Sequence, residues 1–175
     1  GGFGGLWAAR TLAGQPVRVT LVDRSNHHVF QPLLYQVATA TLSPGDIASP
    51  IRWILRYARN VRVILGAATS IDPARKVVQL DGGESLTYDY LIVATGASLD
   101  WSAVPGLGPK AKSTSIFTPP DAERAYEDFK EFAKNPGPVV IGAVPGASCM
   151  GAGYEYLFNF DRHARKAGIR DKITI

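Results

Sequence analysis

Four of the first five residues are glycine: Gly1-Gly2-Phe3-Gly4-Gly5, with Leu6, Trp7, Ala8, Ala9 and Leu12 following in a helix-like run. Such a start commits the chain to a close approach of backbone to a ligand or a neighbour. In the pattern G-x-G-x-x-G the second glycine lets backbone approach a pyrophosphate. The third lets a helix pack tightly on a strand. Gly2 and Gly5 fit those two positions, so the loop reads as the tail of a dinucleotide fingerprint. Its first glycine and supporting strand are expected upstream, and the chain is expected to be a fragment cut at both ends. Val17-Arg18-Val19-Thr20-Leu21-Val22-Asp23 then predicts a strand closed by an acid 18 residues past Gly5. A carboxylate there belongs on a ribose hydroxyl.

The rest of the pattern extends this unit. Residues 24–50 carry Pro, Asn, His and Gln without periodicity beyond a short helical stretch, and a segment this long without regular structure is usually functional. Residues 50–59 predict a helix with Pro50 near its first turn, and Val61–Leu65 a strand. An antiparallel meander follows: Ala68–Asp72, Lys76–Leu80 and Leu86–Tyr88, joined at Pro73-Ala74 and Asp81-Gly82-Gly83. Tyr90–Ala94 predicts a buried strand closed by Thr95-Gly96. A Pro/Gly-rich connector runs from Val104 to Pro109. Asp121–Lys134 predicts a helix with Ala122, Ala125, Tyr126, Phe129 and Phe132 on its apolar face. Val139–Ile141 predicts a strand entering a second glycine-rich loop, with a helix from Tyr154 to Lys166 and a strand beginning at Asp171.

This order implies an α/β fold: a Rossmann-like domain with a parallel sheet and an antiparallel meander, then the start of a second, inserted dinucleotide-type domain. The expected boundaries are 1–104 and 105–175. Length, with 46% hydrophobic and 19% charged residues, fits a globular core. A net charge of +4 with no basic block gives no indication of nucleic-acid binding, though it suits an anionic membrane surface. One cysteine excludes an internal disulfide framework and points to a reducing compartment. No apolar run reaches membrane-spanning length. No arrangement of Ser, His and Asp suggests a hydrolase.

The glycine loop, Val22-Asp23 and Tyr90-Leu91-Ile92-Val93-Ala94-Thr95-Gly96 together resemble the FAD domain of two-dinucleotide-domain flavoprotein oxidoreductases. That resemblance implies FAD as cofactor. Gly1, Gly2, Gly4 and Gly5 would face its pyrophosphate, Asp23 the adenosine ribose, and Arg24 the adenine. Ala68 would make an adenine-side backbone contact, and Thr95 and Gly96 would pass close to the diphosphate. Asn26–Thr39, containing Gln31-Pro32-Leu33-Leu34, and Leu42–Ala48 resemble the type II NADH dehydrogenases, which pass electrons from NADH through FAD to quinone. In that family Pro32 and Leu33 would lie beside the isoalloxazine.

The second half resembles sulfide:quinone oxidoreductases instead. Pro136–Gly142, Gly146-Ala147-Ser148-Cys149, Tyr154-Glu155 and Arg165–Lys172 carry that likeness. It implies a redox role for Cys149 beside the flavin. Two departures stand out: Phe117 occupies the place of a further cysteine, and Gly151-Ala152-Gly153-Tyr154-Glu155 replaces Gly-Pro-Ala-Tyr-Glu. Both families imply a quinone acceptor, a small-molecule electron donor, and a full-length homodimer held peripherally on the cytoplasmic side of a membrane.

The second loop bears on the donor. An NADH site needs a compact strand–loop–helix turn. Here 12 residues separate Gly142 from Glu155, and Pro145 removes an N–H donor among them. A thiol fits such a place better, because a helix N-terminus favours the thiolate of Cys149. The alternative for Cys149 is a small buried core residue. Sulfide is therefore the slightly favoured donor, with NADH the alternative and an inactive nucleotide-binding fragment a third reading. Glu155 could complement a helix dipole or face the flavin or nicotinamide. Asp46 reads as a helix-start acid. His27-His28 read as hydrogen-bonding residues rather than metal ligands, and Trp7, Trp53 and Trp101 as packing residues.

Overall fold

The computed structural model describes residues 1–108, 110, 111, 113–147 and 149–175. Pro109 of the connector and Ser148 of the Gly-Ala-Ser-Cys stretch lie outside the described residues. In chain order the elements are α1 (Phe3–Thr11), β1 (Val19–Asp23), β2 (His27–Val29), α2 (Leu34–Val37), β3 (Ala48–Pro50), α3 (Ile51–Ile54) and β4 (Val61–Leu65). Then come β5 (Ala68–Asp72), β6 (Val77–Leu80), β7 (Ser85–Thr87), α4 (Pro119–Phe132) and α5 (Gly151–Lys166). Single 3-10 turns occupy Gln31–Leu33, Pro44–Ile47, Trp101–Ala103 and Arg170–Lys172. The backbone packs as two units: Gly1–Val29 with Ala48–Ala97, and Phe30–Ile47 with Ser98–Ile175.

The first unit is layered around a parallel pair. Strands β1 and β4 align from Val19 opposite Val61 to Asp23 opposite Leu65. Alternate residues point to opposite faces of a strand. Val19, Leu21, Val61 and Val63 meet Leu6 and Ala9 of α1 and Ile51 and Leu55 at α3. Val22 and Ile64 meet Val78, Leu80, Leu86 and Tyr88 of the meander instead. The two faces thus bury different partners. The meander pairs β5–β6–β7 antiparallel, with a register irregularity between Ala68 and Ser70.

One polar side chain ties the entry of β1 to that of β4. Asn60 Nδ2 lies 2.9, 3.2 and 2.9 Å from the carbonyl oxygens of Leu12, Gln15 and Val17, sharing its two hydrogens among them. Asn60 Oδ1 accepts from the Gly14 N–H at 2.9 Å. The Leu12 and Gln15 carbonyls also accept from the Gln15 and Val17 N–H groups, so Asn60 reinforces a reversal that the backbone already closes.

Three predicted elements differ from the structure. The helix read over 50–59 is regular only over Ile51–Ile54, because the chain must turn into β4. The Ala58 and Val61 N–H groups donate to the Leu55 and Ala58 carbonyls in successive tight turns. Among the described residues Tyr90–Ala94 joins no ladder, and Tyr90, Ile92 and Val93 are exposed. An apolar run becomes a buried strand only with a neighbour to take its backbone groups, and among the described residues β1 pairs with β4 alone. Val139–Ile141 likewise forms no ladder. The Val139 N–H donates to the Thr174 carbonyl at 2.8 Å. The irregular segment holds one element without a sequence signal: β2 and β3 pair antiparallel, His28 opposite Ser49.

In the second unit α2 packs against α4 and α5. Thr118 caps α4: its hydroxyl accepts from the Asp121 N–H at 3.3 Å and donates to Asp121 Oδ2 at 2.7 Å, with proline in the first helical turn. Phe160, Ala164, Ile169 and Ile173 form the core with Phe129, Phe132, Val139 and Ile141 around them. Phe129 and Phe160 meet edge to face, ring centroids 5.2 Å apart. Burial pushes the Tyr156 phenol up to about 12.

The end of α5 is clasped by charge. Arg165 Nε donates to Asp161 Oδ2 at 2.7 Å, Arg170 Nε donates to Oδ1, and Arg170 Nη1 donates to the Ile173 carbonyl at 3.0 Å. The hydrogen bond from Arg165, followed by that from Arg170, holds the Asp161 carboxyl below its ordinary range.

Two expectations follow from these contacts. Asn60→Ala removes the side-chain partners of the Val17 carbonyl and the Gly14 N–H, and should cost about 1 kcal/mol in a denaturant titration. Asp161→Asn should lower the melting temperature at neutral pH. A folded carboxyl pKa below the unfolded one stabilises above the unfolded value, near about 3.9, and the benefit is lost as pH falls through the folded value. The gap between wild type and variant should therefore close on acidification below that range, as read by thermal melts across pH.

Candidate functional site

The site is built where α1 meets the end of β1. Gly2 caps α1 in extended conformation with no side-chain hydrogen bond, and the first intrahelical bond is the Leu6 N–H to the Gly2 carbonyl at 2.9 Å. The N–H groups of Gly4 and Gly5 precede that first intrahelical bond, and with the helix dipole they favour an anion. No acidic side chain lies in that first turn to compete.

The glycines differ in what surrounds them. A Cβ on Gly1 would sit 2.2 Å from Ile51 Cδ1 and 2.9 Å from Asp23 Oδ2, so this position has no room for a side chain. A Cβ on Gly2 would meet nothing within 4 Å, leaving its backbone open to a ligand. At Gly4 and Gly5 a Cβ would reach Ala94 Cβ at 3.7 and 3.5 Å. The start of α1 therefore lies against the segment that leads into Thr95 and Gly96. Gly96 turns the chain there with φ +74°, where glycine is strongly favoured.

Asp23 ends β1 beside this loop. Its Oδ2 is 2.7 Å from the Gly1 nitrogen and its Oδ1 accepts from the Ser25 N–H at 2.6 Å. The Asp23 carbonyl accepts from the Gly66 N–H at 2.9 Å, which holds the strand end in register with β4. Arg24 is exposed, and Ala68, opposite Leu80 at the start of β5, is exposed as well. Gly1, Asp23 and Ile51 are thus in one cluster, and Gly4, Gly5 and Ala94 in another across the start of α1. This arrangement fits a dinucleotide pyrophosphate: a glycine cradle, the N-terminus of a helix and a carboxylate at the strand end.

Sequence reasoning placed His28 only as a hydrogen-bonding residue. The structure gives its partner: His28 Nδ1 is 2.9 Å from the Gly1 carbonyl, and its ring meets Phe3 edge to face at 4.8 Å. Ile51, fully buried beneath Gly1, escaped notice because an apolar residue after proline carries no site signal. Asp46 accepts from the Ser43 N–H at 2.7 Å and Ser43 hydroxyl at 2.8 Å, and these bonds hold its carboxyl below the ordinary range.

Pro32, Leu33, Cys149 and Glu155 belong to the second unit. Pro32 and Leu33 form the 3-10 turn ahead of α2. The loop from Gly142 to Met150 carries a turn closed by the Ala147 N–H on the Val144 carbonyl, 3.1 Å. Cys149 is exposed and stands two residues before α5. Because α5 starts at Gly151 rather than Tyr154, Glu155 lies beyond the first turn, which weakens a dipole-capping role for it. Among the described residues no helix is long and apolar enough to cross a membrane.

Comparison with known proteins gives this geometry its relatives. Sulfide-quinone reductase of Aquifex aeolicus is 35% identical over the whole chain, which spans 40% of that protein. Its crystal structure superposes on 99% of the chain with a TM-score of 0.84. A type II NADH:quinone oxidoreductase of Mycobacterium tuberculosis is 54% identical over 99 residues, 55% of the chain and 21% of that protein. The NDH2 of Plasmodium falciparum, solved with NADH, shares the fold at 22% identity and a TM-score of 0.69. The relatives are quinone oxidoreductases of both the sulfide and the NADH type. Residues 1–152 match the pyridine nucleotide-disulphide oxidoreductases, whose members bind FAD, and the chain belongs to that family.

Proposed function

We propose that the chain is the FAD-holding part of an enzyme that takes electrons from a small donor and delivers them to a quinone at a membrane surface. The observation that carries this reading is the α1 N-terminus, opening at Gly2 beside Asp23. Bound FAD would supply the redox chemistry. The residues of this chain would hold it. The N–H groups at the start of α1 would take the pyrophosphate, with Gly1, Gly2, Gly4 and Gly5 keeping side chains out of its way. Asp23 would accept from ribose hydroxyls, Arg24 and Ala68 would lie on the adenine side, and Thr95 and Gly96 would close the diphosphate end. Pro32 and Leu33 would border the isoalloxazine. The longer protein would work as a homodimer on the cytoplasmic face.

Sulfide is the favoured donor. Support comes from the sulfide-quinone reductase match, which runs the full length of the chain, from the exposed Cys149 ahead of α5, and from Pro145 within the second loop. Cys149 would be the thiolate that meets hydrosulfide, with the two electrons released as an S–S bond forms passing to bound FAD and the proton to solvent; Glu155 lies further along α5. NADH is the second reading. It is favoured by the 54% identity to a type II NADH:quinone oxidoreductase.

Two measurements test these assignments. Gly2→Ala has open space for its methyl group, so the apoprotein melting temperature should be unchanged while FAD affinity falls. Asp23→Ala should weaken FAD by about tenfold through loss of a charge-assisted hydrogen bond. Undiminished flavin binding in both variants would sink the cradle. Anaerobic mixing of the flavin-loaded protein with sulfide should bleach the flavin band, and Cys149→Ser should abolish that bleaching while retaining FAD. Bleaching by NADH and not by sulfide would decide for the second reading.

A further inference from the structure

Gly1 is held at both ends by side chains from other elements. Its nitrogen lies 2.7 Å from Asp23 Oδ2, and its carbonyl oxygen lies 2.9 Å from His28 Nδ1. His28 reaches it from β2, where it pairs opposite Ser49. Alternate strand residues point to opposite faces, so His27 is turned the other way and is exposed. A carbonyl oxygen only accepts, so His28 Nδ1 carries the hydrogen and donates it. The neutral ring is therefore the Nδ1–H tautomer. Phe3 meets the same ring edge to face at 4.8 Å, so His28 touches the loop on both sides of Gly2.

This hydrogen bond fixes more than one oxygen. The Gly1–Gly2 peptide is trans, and in a planar trans peptide the C=O and the N–H point in opposite directions. Holding the Gly1 carbonyl on His28 thus turns the Gly2 N–H away from His28. Rotation of that peptide is otherwise little hindered, since glycine on both sides removes the Cβ contacts that restrict other residues. Turned over, the peptide would present its oxygen where it now presents its N–H. An anion is attracted by the second and repelled by the first. We propose that His28 is a positioning residue: it locks the Gly1–Gly2 peptide with its N–H toward the anion site at the start of α1, and so decides whether the glycine loop accepts a pyrophosphate.

The lock rests on the assignment of this loop to FAD, and it is the same whichever donor and acceptor the enzyme uses. Its rival is a role in packing alone, with the imidazole filling space beside Phe3. Packing needs a ring and no donor, whereas the lock needs a donor at the Nδ1 position and no ring. Substitutions divide the two. His28→Asn loses the ring and carries an amide nitrogen close to the place of Nδ1, two bonds beyond Cβ. His28→Phe keeps a ring against Phe3 and loses the donor. His28→Gln stays polar but carries its amide nitrogen one bond farther out, near the place of Nε2.

Two measurements that involve no redox step test the lock. Nitrogen-15 NMR of the histidine-labelled protein at alkaline pH should show His28 as the Nδ1–H tautomer. Flavin titration of the apoprotein should find FAD bound at least about tenfold more weakly by His28→Phe than by wild type, with His28→Asn within about threefold of wild type. His28→Gln should bind FAD as weakly as His28→Phe, and takes its place if the loss of polarity unfolds the protein. Inorganic pyrophosphate should shift the Gly2 amide resonance in wild type and His28→Asn, and leave it unmoved in His28→Phe. An Nε2–H tautomer, wild-type affinity in His28→Phe, or equal losses in His28→Asn and His28→Phe would overturn the proposal. A wild-type protein that binds no FAD would remove the function proposed for the loop instead, and the tautomer and the pyrophosphate shift would then decide the lock by themselves.

Discussion

The contact between Gly1 and Ile51 governs the first unit. It allows the start of α1 to sit over α3 and the end of β1 at once, which a side chain at position 1 would prevent. Ile51 is held in place from the other direction, since its N–H donates to the Asn26 carbonyl at 2.9 Å. The β2–β3 ladder that brings Asn26 near Pro50 therefore fixes the floor beneath the glycine loop. His28, on that ladder, returns to the Gly1 carbonyl. Loop, strand end and ladder form one cooperative cluster, and moving any member displaces the helix N-terminus that a pyrophosphate would meet.

The sheet below divides its duties by face. Val19 and Leu21 anchor α1 and α3, and Val22 and Ile64 anchor the meander. A one-residue slip of β1 against β4 would exchange these sets and carry Asp23 away from Gly1. The Asn60 hydrogen bonds oppose such a slip at one end of the pair, and the Gly66 N–H on the Asp23 carbonyl opposes it at the other. Register in two short strands is thus controlled by polar bonds at their ends, while apolar contacts supply the bulk of the packing.

Much of this was legible from residues 1–23 and 61–87, where turns, alternation and an acid at a strand end all agree. β4 and β5 run over the residues that their patterns predict, and the α4 face read from Ala122 and Ala125 is buried. Less legible were features that depend on a distant neighbour. Tyr90–Val93 has the composition of a core strand, yet composition does not supply the adjacent strand that would bury it. The β2–β3 ladder carries no alternation because His27, Pro50 and Ser49 are polar or lack a donor. Ile51 and Asn60 gave no site signal, since their importance lies in what they touch. Trp7 and Trp53 point outward although aromatic residues usually pack inward, with Arg10 over the ring of Trp7 and Arg56 over that of Trp53.

The two glycine-rich segments end as different kinds of helix start. At α1 the glycines run directly into the helix, so backbone N–H groups and open space at Gly2 coincide. At α5 the chain first makes a turn at Val144–Ala147, with Gly146 at φ +83°, and then presents Cys149 and Met150 before the helix begins. The side chains of Cys149 and Met150 thus precede α5, whose own first residues are Gly151, Ala152 and Gly153. A bulky polyanion needs the first arrangement, because each added side chain pushes it from the N–H groups. A small reactant that meets a thiol needs only the second. The proposed assignment of FAD to the first loop and sulfide to the second rests on that difference in what each helix start leaves uncovered.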